Sequence, residues 1–418
     1  METREATAGS ILHRLLIIGA TGVFGSRLAR HLAQDPRFEL LLASRDAGRA
    51  LALKQDLAAT AKAKLTPVAL ETSSELAPVL KALRPWCVVD CSGPFQEMSF
   101  ATARAALAAG AHVVDLADAS GYLTGYRDAV GHLAKAKRLS AVTGASSTPA
   151  LSGAVVADLC HGLCEIQDIE IAIAPGGRSP VGPSVIDAIL SYAGREVATW
   201  RAGKPASARG WQGGRSFAIE GLGRRRGAEV ETIDARFLGC RHAVRGGVTF
   251  RAALESLPEQ LGLELLAALR RFGLAGDLRP LAPLLLRLRA LTRLPTSDRG
   301  GMRVAVRGVR PDGEAVEREW TLIAEHGQGP CTPILPTAAV IKGLLDHRIG
   351  PGAKLAPEVL TLDEILRETD GYSMHIKSRE RRLKQPSVSR PRARPDLWAT
   401  IGSARARITP VSWTLGNQ

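Results

Sequence analysis

The sequence contains few aromatic residues. Only 6 Trp, 4 Tyr and 8 Phe occur among 418 residues, so the core must be built mainly from aliphatic side chains. This composition gives poor support to binding of single-stranded nucleic acid on a platform of stacked rings. Hydrophobic residues make up 45% of the chain and charged residues 23%, which excludes a wholly disordered, collagen-like or integral membrane protein. The length is enough for two or three domains.

Cysteine is also sparse, and long apolar runs are absent. Six cysteines are dispersed along the chain, and Cys160 and Cys164 have no second Cys/His pair at zinc spacing apart from His161 between them. No metal site is predicted. The longest uncharged stretch, residues 139–157, is rich in Ser, Thr, Gly and Pro, which is not typical of a membrane span. The first ten residues show no apolar signal sequence, so a cytoplasmic location is expected.

The net charge of +14 is concentrated at one end of the chain. Residues 373–418 hold ten Lys and Arg against Glu380 and Asp396, which is +8 of the total. This segment has no sustained apolar period and is predicted to be a disordered basic tail. Contact with acidic lipid or nucleic acid there would be non-specific, because no base-reading module is present, and no specific nucleic-acid partner is predicted.

Short apolar runs alternate with helical patterns over residues 12–150. Strands are predicted at 14–18, 39–43, 64–70, 86–91, 112–116 and 139–143, with helices between them, the fifth at 124–138. This alternation is typical of βαβ units. It predicts an α/β fold in which an N-terminal Rossmann domain has a doubly wound parallel sheet.

The first turn between strand and helix carries three glycines. Residues 19–25 read Gly-Ala-Thr-Gly-Val-Phe-Gly, after an apolar strand and before a helix that begins near Val23. Glycine allows a sharp turn and close approach of a pyrophosphate, and the helix N-terminus offers N–H groups to the phosphates. Cofactor contacts are predicted for Gly19, Thr21, Gly22, Val23, Phe24 and Gly25. The alternative is that the glycines serve only a tight turn.

The end of the second strand indicates which nicotinamide cofactor binds. An NAD site would place Asp or Glu there to bind the ribose 2′-hydroxyl. This chain has Ser44, Arg45 and Asp46, with Arg49 one turn later. A guanidinium and a hydroxyl can bind a 2′-phosphate, so NADP(H) is predicted, with Ser44 and Arg45 as ligands. The alternative is that Arg45 is a solvated charge and Asp46 caps the next helix.

Dehydrogenases that use a Tyr and a Lys four residues later share this glycine spacing. The four tyrosines are Tyr122, Tyr126, Tyr192 and Tyr372, and none has Lys at that position. Proton relay by a Tyr–Lys pair is therefore excluded.

Several further segments carry a resemblance. GATGVFGSRLARHL, VVDCSGPF, AAGAHVVDLADASGYL and TGASSTPALSG, with the later TLIAEHGQGPCTPILPTAAVIKGLL, resemble the saccharopine dehydrogenase-like family. The resemblance covers roughly residues 14–370 and is greater to the bacterial branch of uncharacterised oxidoreductases and trans-acting enoyl reductase-like proteins.

The resemblance implies an arrangement of domains. These are a Rossmann NADP-binding domain at 12–150, an α+β substrate or dimerisation domain at 151–330, C-terminal helices at 331–372 that return to the first domain, and the tail. Independently, residues 166–174, 302–309 and 318–325 show strand patterns, and Thr337 to Leu345 a helix.

The resemblance also implies site residues. Cys91, Ser92 and Gly93 match a loop that lies beside the nicotinamide. The substrate-binding candidates are Pro94, Phe95, Ser147 and Thr148. In true saccharopine reductases the segment matching 144–149 includes an acidic residue; here only Ser146, Ser147 and Thr148 are polar. Amino-acid condensation chemistry is therefore not carried over to this chain.

A proton donor is needed if a carbonyl or imine is reduced. Asp118 and Tyr122 follow the fifth strand, at the carboxyl end of the sheet where ligands bind in open α/β folds. Both are catalytic candidates. The alternatives are a loop or capping carboxylate for Asp118 and a packing ring for Tyr122.

Two later segments leave their function open. Arginine is frequent in residues 195–251, which suits either an anionic substrate, such as a carboxylate or an acyl thioester, or a solvated face. Residues 254–294 form an amphipathic helical pair that suits peripheral membrane contact, a homodimer interface or a lid.

The sequence as a whole predicts an NADP(H)-dependent oxidoreductase acting on a small or acyl substrate. The alternatives are a non-catalytic regulator that senses NADP(H) and a peripheral membrane protein that acts on lipid.

Overall fold

Strands and helices fill the described part of the chain, which comprises residues 12–70, 76–292 and 296–383 of a computed structural model. The strands are β1 (His13–Ile18), β2 (Phe38–Ser44), β3 (Lys64–Ala69), β4 (Cys87–Asp90), β5 (His112–Asp115), β6 (Ser140–Thr143), β7 (Glu165–Ala174), β8 (Glu196–Arg201), β9 (Lys204–Arg209), β10 (Arg215–Ile219), β11 (Gly223–Glu229), β12 (Val248–Ala252), β13 (Gly300–Val309), β14 (Ala315–Ala324), β15 (Gly352–Leu355) and β16 (Met374–Arg382). The helices are α1 (Val23–Leu32), α2 (Ala47–Ala58), α3 (Leu76–Leu83), α4 (Ala101–Ala108), α5 (Ser120–Ala136), α6 (Ser152–Cys160), α7 (Pro183–Tyr192), α8 (Asp234–Arg241), α9 (Leu257–Arg271), α10 (Ala282–Thr292), α11 (Ile334–Leu345) and α12 (Leu362–Leu366).

The first sheet is parallel and has seven strands in the order β15-β6-β5-β4-β1-β2-β3. Its strands β1 to β6 are in the doubly wound order of a dinucleotide-binding domain. The predicted α/β class and Rossmann fold are confirmed. The seventh strand comes from residues 352–355, far along the chain, so the segment 331–372 supplies a strand as well as helices.

Helices cover both faces of the first sheet. The central strands β1, β2 and β4 are buried almost throughout, as expected for a parallel sheet covered on both sides. The core on one face packs α3, α4 and α5 against residues such as Leu16, Val88 and Val113. The core on the other face is continuous with the inner face of the second sheet.

The second sheet is mixed and has nine strands. Its main order is β10-β11-β12-β7-β13-β14-β16, and β8 pairs with β12 and β9. The pair β7–β12 is parallel, and the other neighbours are antiparallel. Val304, Trp320 and Leu322 face the core, whereas alternate residues carry charges, as expected where one face of an antiparallel sheet is not covered by apolar packing.

Ion pairs run across the charged face of this sheet. Glu319 is 4% exposed and lies between Arg303 and Arg379, with nitrogen–oxygen distances of 2.6 Å to each. Glu317 is 3% exposed and is held in the same way by Arg307 and Arg381 at 2.7 Å. The long arginine side chains therefore shield these carboxylates from solvent.

The predicted tail begins too early. Residues 374–382 form the edge strand β16, which pairs with β14 along its whole length. The segment lacks an apolar period, so hydrophobicity alone would not predict a strand here. Its basic residues form ion pairs with the acids of β14, and these pairs stabilise the strand. The rest of the predicted tail, residues 384–418, lies outside the described residues.

One other boundary also differs from the prediction, because the fifth helix begins at Ser120 rather than at 124. Within the described ranges, every helix is too short or too polar to cross a bilayer.

Candidate functional site

The glycine loop brings α1 close to the end of β1. Gly19 has a φ of +73°, and a Cβ atom there would lie 3.0 Å from the carbonyl oxygen of Cys91. A Cβ at Gly25 would lie 2.2 Å from the carbonyl oxygen of Gly19, so the first turn of the helix packs on the loop backbone. Gly22 caps α1, whose first-turn N–H groups point out of the helix toward the loop. This arrangement fits a pyrophosphate at the helix N-terminus.

The end of β2 presents hydroxyl and guanidinium groups to the same loop. The Oγ atoms of Thr21 and Ser44 are 3.0 Å apart, and Arg49 Nη2 donates to the Thr21 carbonyl at 3.1 Å. Arg45 is exposed. Asp46 accepts from the Arg49 N–H at 3.1 Å and caps α2. Asp46 is thus hydrogen-bonded within its own helix. The hydroxyl of Ser44 and the guanidinium groups of Arg45 and Arg49 fit a 2′-phosphate.

Helix α7 of the second sheet's region lies against the glycine loop. A Cβ at Gly182, the residue before α7, would be 3.5 Å from Cγ2 of Val23. At its other end, Tyr192 interacts electrostatically with Asp118 and Glu231. The helix therefore runs from the cofactor loop toward the carboxylates at the carboxyl end of the first sheet. Open α/β folds bind ligands in a crevice at this end, and we call this region the cleft.

Asp118 and Glu231 interact electrostatically at this end of the sheet. Asp118 follows β5, opens to solvent, and accepts a hydrogen bond from Gln96 Nε2 at 3.4 Å. The crowded surroundings and the nearby charge of Glu231 raise the pKa of Asp118 to about 6. Burial also raises the pKa of Glu231, although hydrogen bonds from the backbone and side chain of Ser120 oppose the shift. Both carboxyl groups therefore keep a proton to higher pH than an ordinary Asp or Glu, and Asp118 can donate one near pH 6.

Tyr122 has a different environment. It is 6% exposed, and its ring packs against Phe95 and Phe100 with centroid distances of 5.3 and 4.8 Å. Burial and the nearby charges of Asp115 and Asp90 raise the pKa of the Tyr122 hydroxyl strongly. This placement favours the packing alternative.

The loop after β4 lies beside the glycine loop. The N–H of Cys91 donates to Ile18 at 3.0 Å, which ties the two loops together, and the Ser92 N–H and hydroxyl both bind the Asp90 carboxylate. Burial raises the pKa of the Cys91 thiol. Gly93 and Pro94 line the open side of this loop, whereas Phe95 is 5% exposed and points into the core.

The segment after β6 is engaged with a buried acid. The hydroxyls of Thr148, Thr232 and Ser152 all donate to the carboxylate of Asp234, which is fully buried at the start of α8. The hydroxyl of Thr148, a predicted substrate ligand, therefore links the segment after β6 to the start of α8. Ser147 is half-buried beside it.

Asp115 connects the ends of β5 and β6. Its Oδ1 accepts from the N–H groups of Ala117 and Gly144 and from the Thr143 hydroxyl. Burial raises the pKa of Asp115 to about 7, since these hydrogen bonds only partly offset the lost hydration, and Asp90 adds a like charge.

Many arginines of residues 195–251 have carboxylate partners. The ion pairs are Arg201–Glu229, Arg209–Glu196, Arg225–Glu255, Arg226–Glu264 and Arg245–Glu165. This favours the structural alternative over an anion-binding face. Two surface grooves of about 630 and 660 Å³ lie elsewhere, beside Arg236 and Lys354 and beside His31 and Tyr372, and neither includes the glycine loop.

Sequence reasoning missed Glu231, Tyr192 and Gln96. Glu231 follows β11 and reaches Ser120 at the start of α5 across more than a hundred residues of sequence. No local pattern marks such a residue, because its role depends only on how the two sheets come together.

Comparison with known proteins adds to this geometry. Residues 15–144 match the family model described as Saccharopine dehydrogenase NADP binding domain. Saccharopine dehydrogenase (L-Glu forming) from Saccharomyces cerevisiae has 14% identity and a TM-score of 0.63, covering 88% of this chain and 100% of that chain. An amine dehydrogenase from Mycobacterium smegmatis has 13% identity and a TM-score of 0.47, covering 84% and 96%. The DAP dehydrogenase of C. glutamicum has 14% identity and a TM-score of 0.47, covering 85% and 99%.

No curated protein sequence matches this chain. The structural likeness to the yeast enzyme shows a shared fold. The match at residues 15–144 confirms the predicted NADP(H) cofactor and the resemblance stated above. Residues 15–144 are thus similar to the NADP-binding domain of the saccharopine dehydrogenase family.

Proposed function

We propose that this protein is an NADP(H)-dependent oxidoreductase that transfers a hydride to or from a C=O, C=N or C=C bond of a small or acyl substrate. The observation that carries the proposal is the cleft at the carboxyl end of the first sheet. There the glycine loop, α7 and the electrostatically interacting carboxyl groups of Asp118 and Glu231 come together. A nucleotide site alone would not need two carboxyl groups with raised pKa values beside it.

The residues divide the work between binding and proton transfer. Gly19, Gly22 and Gly25 with the α1 N-terminus hold the pyrophosphate, and Ser44, Arg45 and Arg49 hold the 2′-phosphate. Bound NADPH supplies the hydride. The loop Cys91–Pro94 orients the nicotinamide against the substrate, and α7 limits access of water.

Asp118 is the proton donor in the reducing direction. The hydride adds to carbon, the proton of Asp118 passes to the heteroatom or neighbouring carbon, and the carboxylate that remains is reprotonated from solvent. Glu231 raises the pKa of Asp118 by like charge, so Glu231 acts as a positioning residue. Its other role is structural, since it accepts hydrogen bonds at the N-terminus of α5.

The departure from the family motif fits this assignment. The segment 144–149 has no acid, and Thr148 is bound to Asp234. The acid group therefore comes from the loop after β5. The finer resemblance to the trans-acting enoyl reductase-like branch stays a prediction, as does the substrate.

Fluorescence titration with NADPH and NADH tests the cofactor assignment. Arg45→Asp and Arg49→Asp should weaken NADPH binding and leave NADH binding unchanged, because only the 2′-phosphate contacts these groups. An equal loss for both cofactors would contradict the assignment.

Oxidation of NADPH across a panel of ketones, imines and enoyl thioesters, followed at 340 nm, tests the activity. Turnover that Asp118→Asn abolishes without weakening NADPH binding would support an enzyme. Tight NADPH binding without turnover on any of these classes would support the NADP(H)-sensing regulator instead.

A further inference from the structure

Exposed apolar side chains are concentrated on the hairpin of α9 and α10. Seven of the nine large hydrophobic residues that are exposed in the described part of the chain lie there. They form what we name the hairpin surface: Leu257, Leu261, Leu265, Phe272, Leu274, Leu284 and Leu288. Single exposed leucines are ordinary, but a group of this size on one element indicates an interaction site.

The spacing of these residues separates them from the core side of the hairpin. Leu257, Leu261 and Leu265 recur every four residues along one face of α9, while Leu263 and Ala267 pack inward. Leu265, Phe272 and Leu274 are 60%, 71% and 76% exposed, so they project into solvent rather than line a groove. A projecting apolar ridge is suited to insertion into a soft apolar medium rather than to holding a small ligand.

The charges of the hairpin indicate which medium. Its acids are each paired with an arginine: Glu255 with Arg225, Glu259 with Arg289, Glu264 with Arg226, and Asp277 with Arg279. Arg271 and Arg287 are exposed, and no carboxylate of the described residues pairs with them. The uncompensated charge beside the apolar ridge is therefore positive.

We propose that the hairpin surface docks this protein on an anionic lipid bilayer, with Leu265, Phe272 and Leu274 inserted among the headgroups and Arg271 and Arg287 at the phosphate level. Apolar residues on one face with flanking arginines are the pattern of a helix that lies in the membrane interface. Two copies joined through this surface would instead bring their arginines together without acids to pair with them.

The hairpin is also connected to the cleft. Arg270 Nη1 donates to the carbonyls of Leu190, Ser191 and Ala193 at the end of α7, at 2.9, 3.2 and 3.2 Å. The same helix contacts the glycine loop at its beginning. Docking would thus place the lipid surface directly behind this helix, although the proposal does not depend on catalysis.

Co-sedimentation with sucrose-loaded vesicles tests the proposal. The full chain is compared with Leu265→Gln/Phe272→Gln on vesicles of phosphatidylcholine with phosphatidylglycerol and of phosphatidylcholine alone. The double variant should partition at least about tenfold less, because two inserted side chains are lost. Arg287→Gln should reduce partitioning about fivefold on the anionic vesicles only.

Two controls separate the sources of binding. Leu51→Gln changes a leucine on α2 that is 46% exposed, the same fraction as Leu261 of the hairpin surface. This variant should bind vesicles as the unaltered protein does. A chain that ends after Leu383 removes the basic residues beyond β16 and should retain hairpin-dependent binding. NADPH titration of each variant verifies that the fold is intact.

Three results would overturn the proposal. In the first, the double variant binds vesicles as the unaltered protein does, whereas the chain that ends after Leu383 does not bind. This result would assign vesicle binding to the tail. Another is no vesicle binding at all. The last is a dimer in sedimentation velocity that the double variant dissociates while vesicle binding is absent, which would assign the hairpin surface to a second copy.

Discussion

The pKa values of carboxyl groups are shifted in opposite directions in the two sheets. At the carboxyl end of the first sheet, burial raises the pKa values of Asp90 and Asp115. Loss of hydration around the carboxyl group and the like charge of Glu231 raise the pKa of Asp118, although the residue opens to solvent, and no arginine compensates at any of the three. On the second sheet, burial also opposes ionisation of Glu317, but Arg307 and Arg381 hold its pKa below the usual range. Carboxyl groups are therefore protonated more readily than usual in one region and less readily than usual in the other.

This difference separates chemistry from structure. A carboxyl group near its pKa can give and take protons, as catalysis requires, whereas an arginine-bound carboxylate can only hold strands together. The acids of the first sheet are thus the better candidates for function, although the second sheet contains many more ionised groups.

The largest expected effect is that of Asp118→Asn on turnover. Loss of the proton donor should lower kcat by about 100-fold or more with little change in NADPH affinity. Since the pKa of Asp118 is raised to about 6, the rate of the reducing reaction should be highest below pH 6 and fall as pH rises through that value.

Glu231→Gln refines this prediction. It removes the like charge, so the pH profile should move to lower pH while a proton donor is retained. A profile that stays in place in Glu231→Gln would contradict the coupling of the two groups, even if Asp118→Asn is inactive.

The second prediction concerns the glycine loop. Gly25→Ala places a Cβ atom 2.2 Å from the Gly19 carbonyl oxygen, so α1 must move away from the loop. We expect a loss of about 1–3 kcal/mol in the free energy of unfolding and loss of NADPH binding. Gly121→Ala is the control, because nothing lies within 4 Å of its Cβ position. Urea unfolding and fluorescence titration measure both effects.

The third prediction concerns the ion pairs of the second sheet. Glu319→Gln should lower the free energy of unfolding by about 1–3 kcal/mol, since Glu319 is 4% exposed and bound by two arginines. Glu196→Gln breaks an ion pair in which the glutamate is 65% exposed, and a change below about 0.5 kcal/mol is expected. Equal effects would show that burial does not distinguish these pairs.

The smallest expected effect is on the pH dependence of stability. Asp115 has a folded pKa of about 7 against an ordinary value of 3.8, so the folded state binds the proton more tightly. The stability from this group is present at low pH and is lost as pH rises through the interval up to about 7. Asp115→Asn should flatten that decline in urea titrations between pH 4 and 8. Glu317→Gln should act oppositely and flatten the loss of stability on acidification below pH 4.5.

Local patterns in the sequence predict six of the seven strands of the first sheet but not β15, and in the second sheet they predict only β7, β13 and β14. The strands β1, β2 and β4 lie in mainly apolar runs. Their alternation with helices predicts the strands themselves and their parallel pairing in one sheet. The strand β16 reads His-Ile-Lys-Ser-Arg-Glu after Met374 and has no apolar period, because ion pairs with Glu317 and Glu319 stabilise it. Those partners lie some sixty residues earlier, where no local signal connects them.

The site follows the same division. The glycine loop and Ser44 belong to one local βαβ unit, and their spacing alone indicates a dinucleotide. Glu231 and Tyr192 come to the cleft through the packing of two separate sheets. Thr148 stays a predicted substrate ligand, and its hydroxyl donates to Asp234, which is distant in sequence. Contacts made by distant segments carry no periodic trace in the sequence.

The strand β15 has a consequence for how this protein is made. A ribosome delivers β1 to β6 first, and the seventh strand of the same sheet emerges only about 200 residues later. Until then the edge of β6 has open backbone N–H and C=O groups that another chain could pair with. The cofactor domain is therefore complete only after residues 352–355 have emerged, and a fragment cut at residue 150 would expose the unpaired edge of β6.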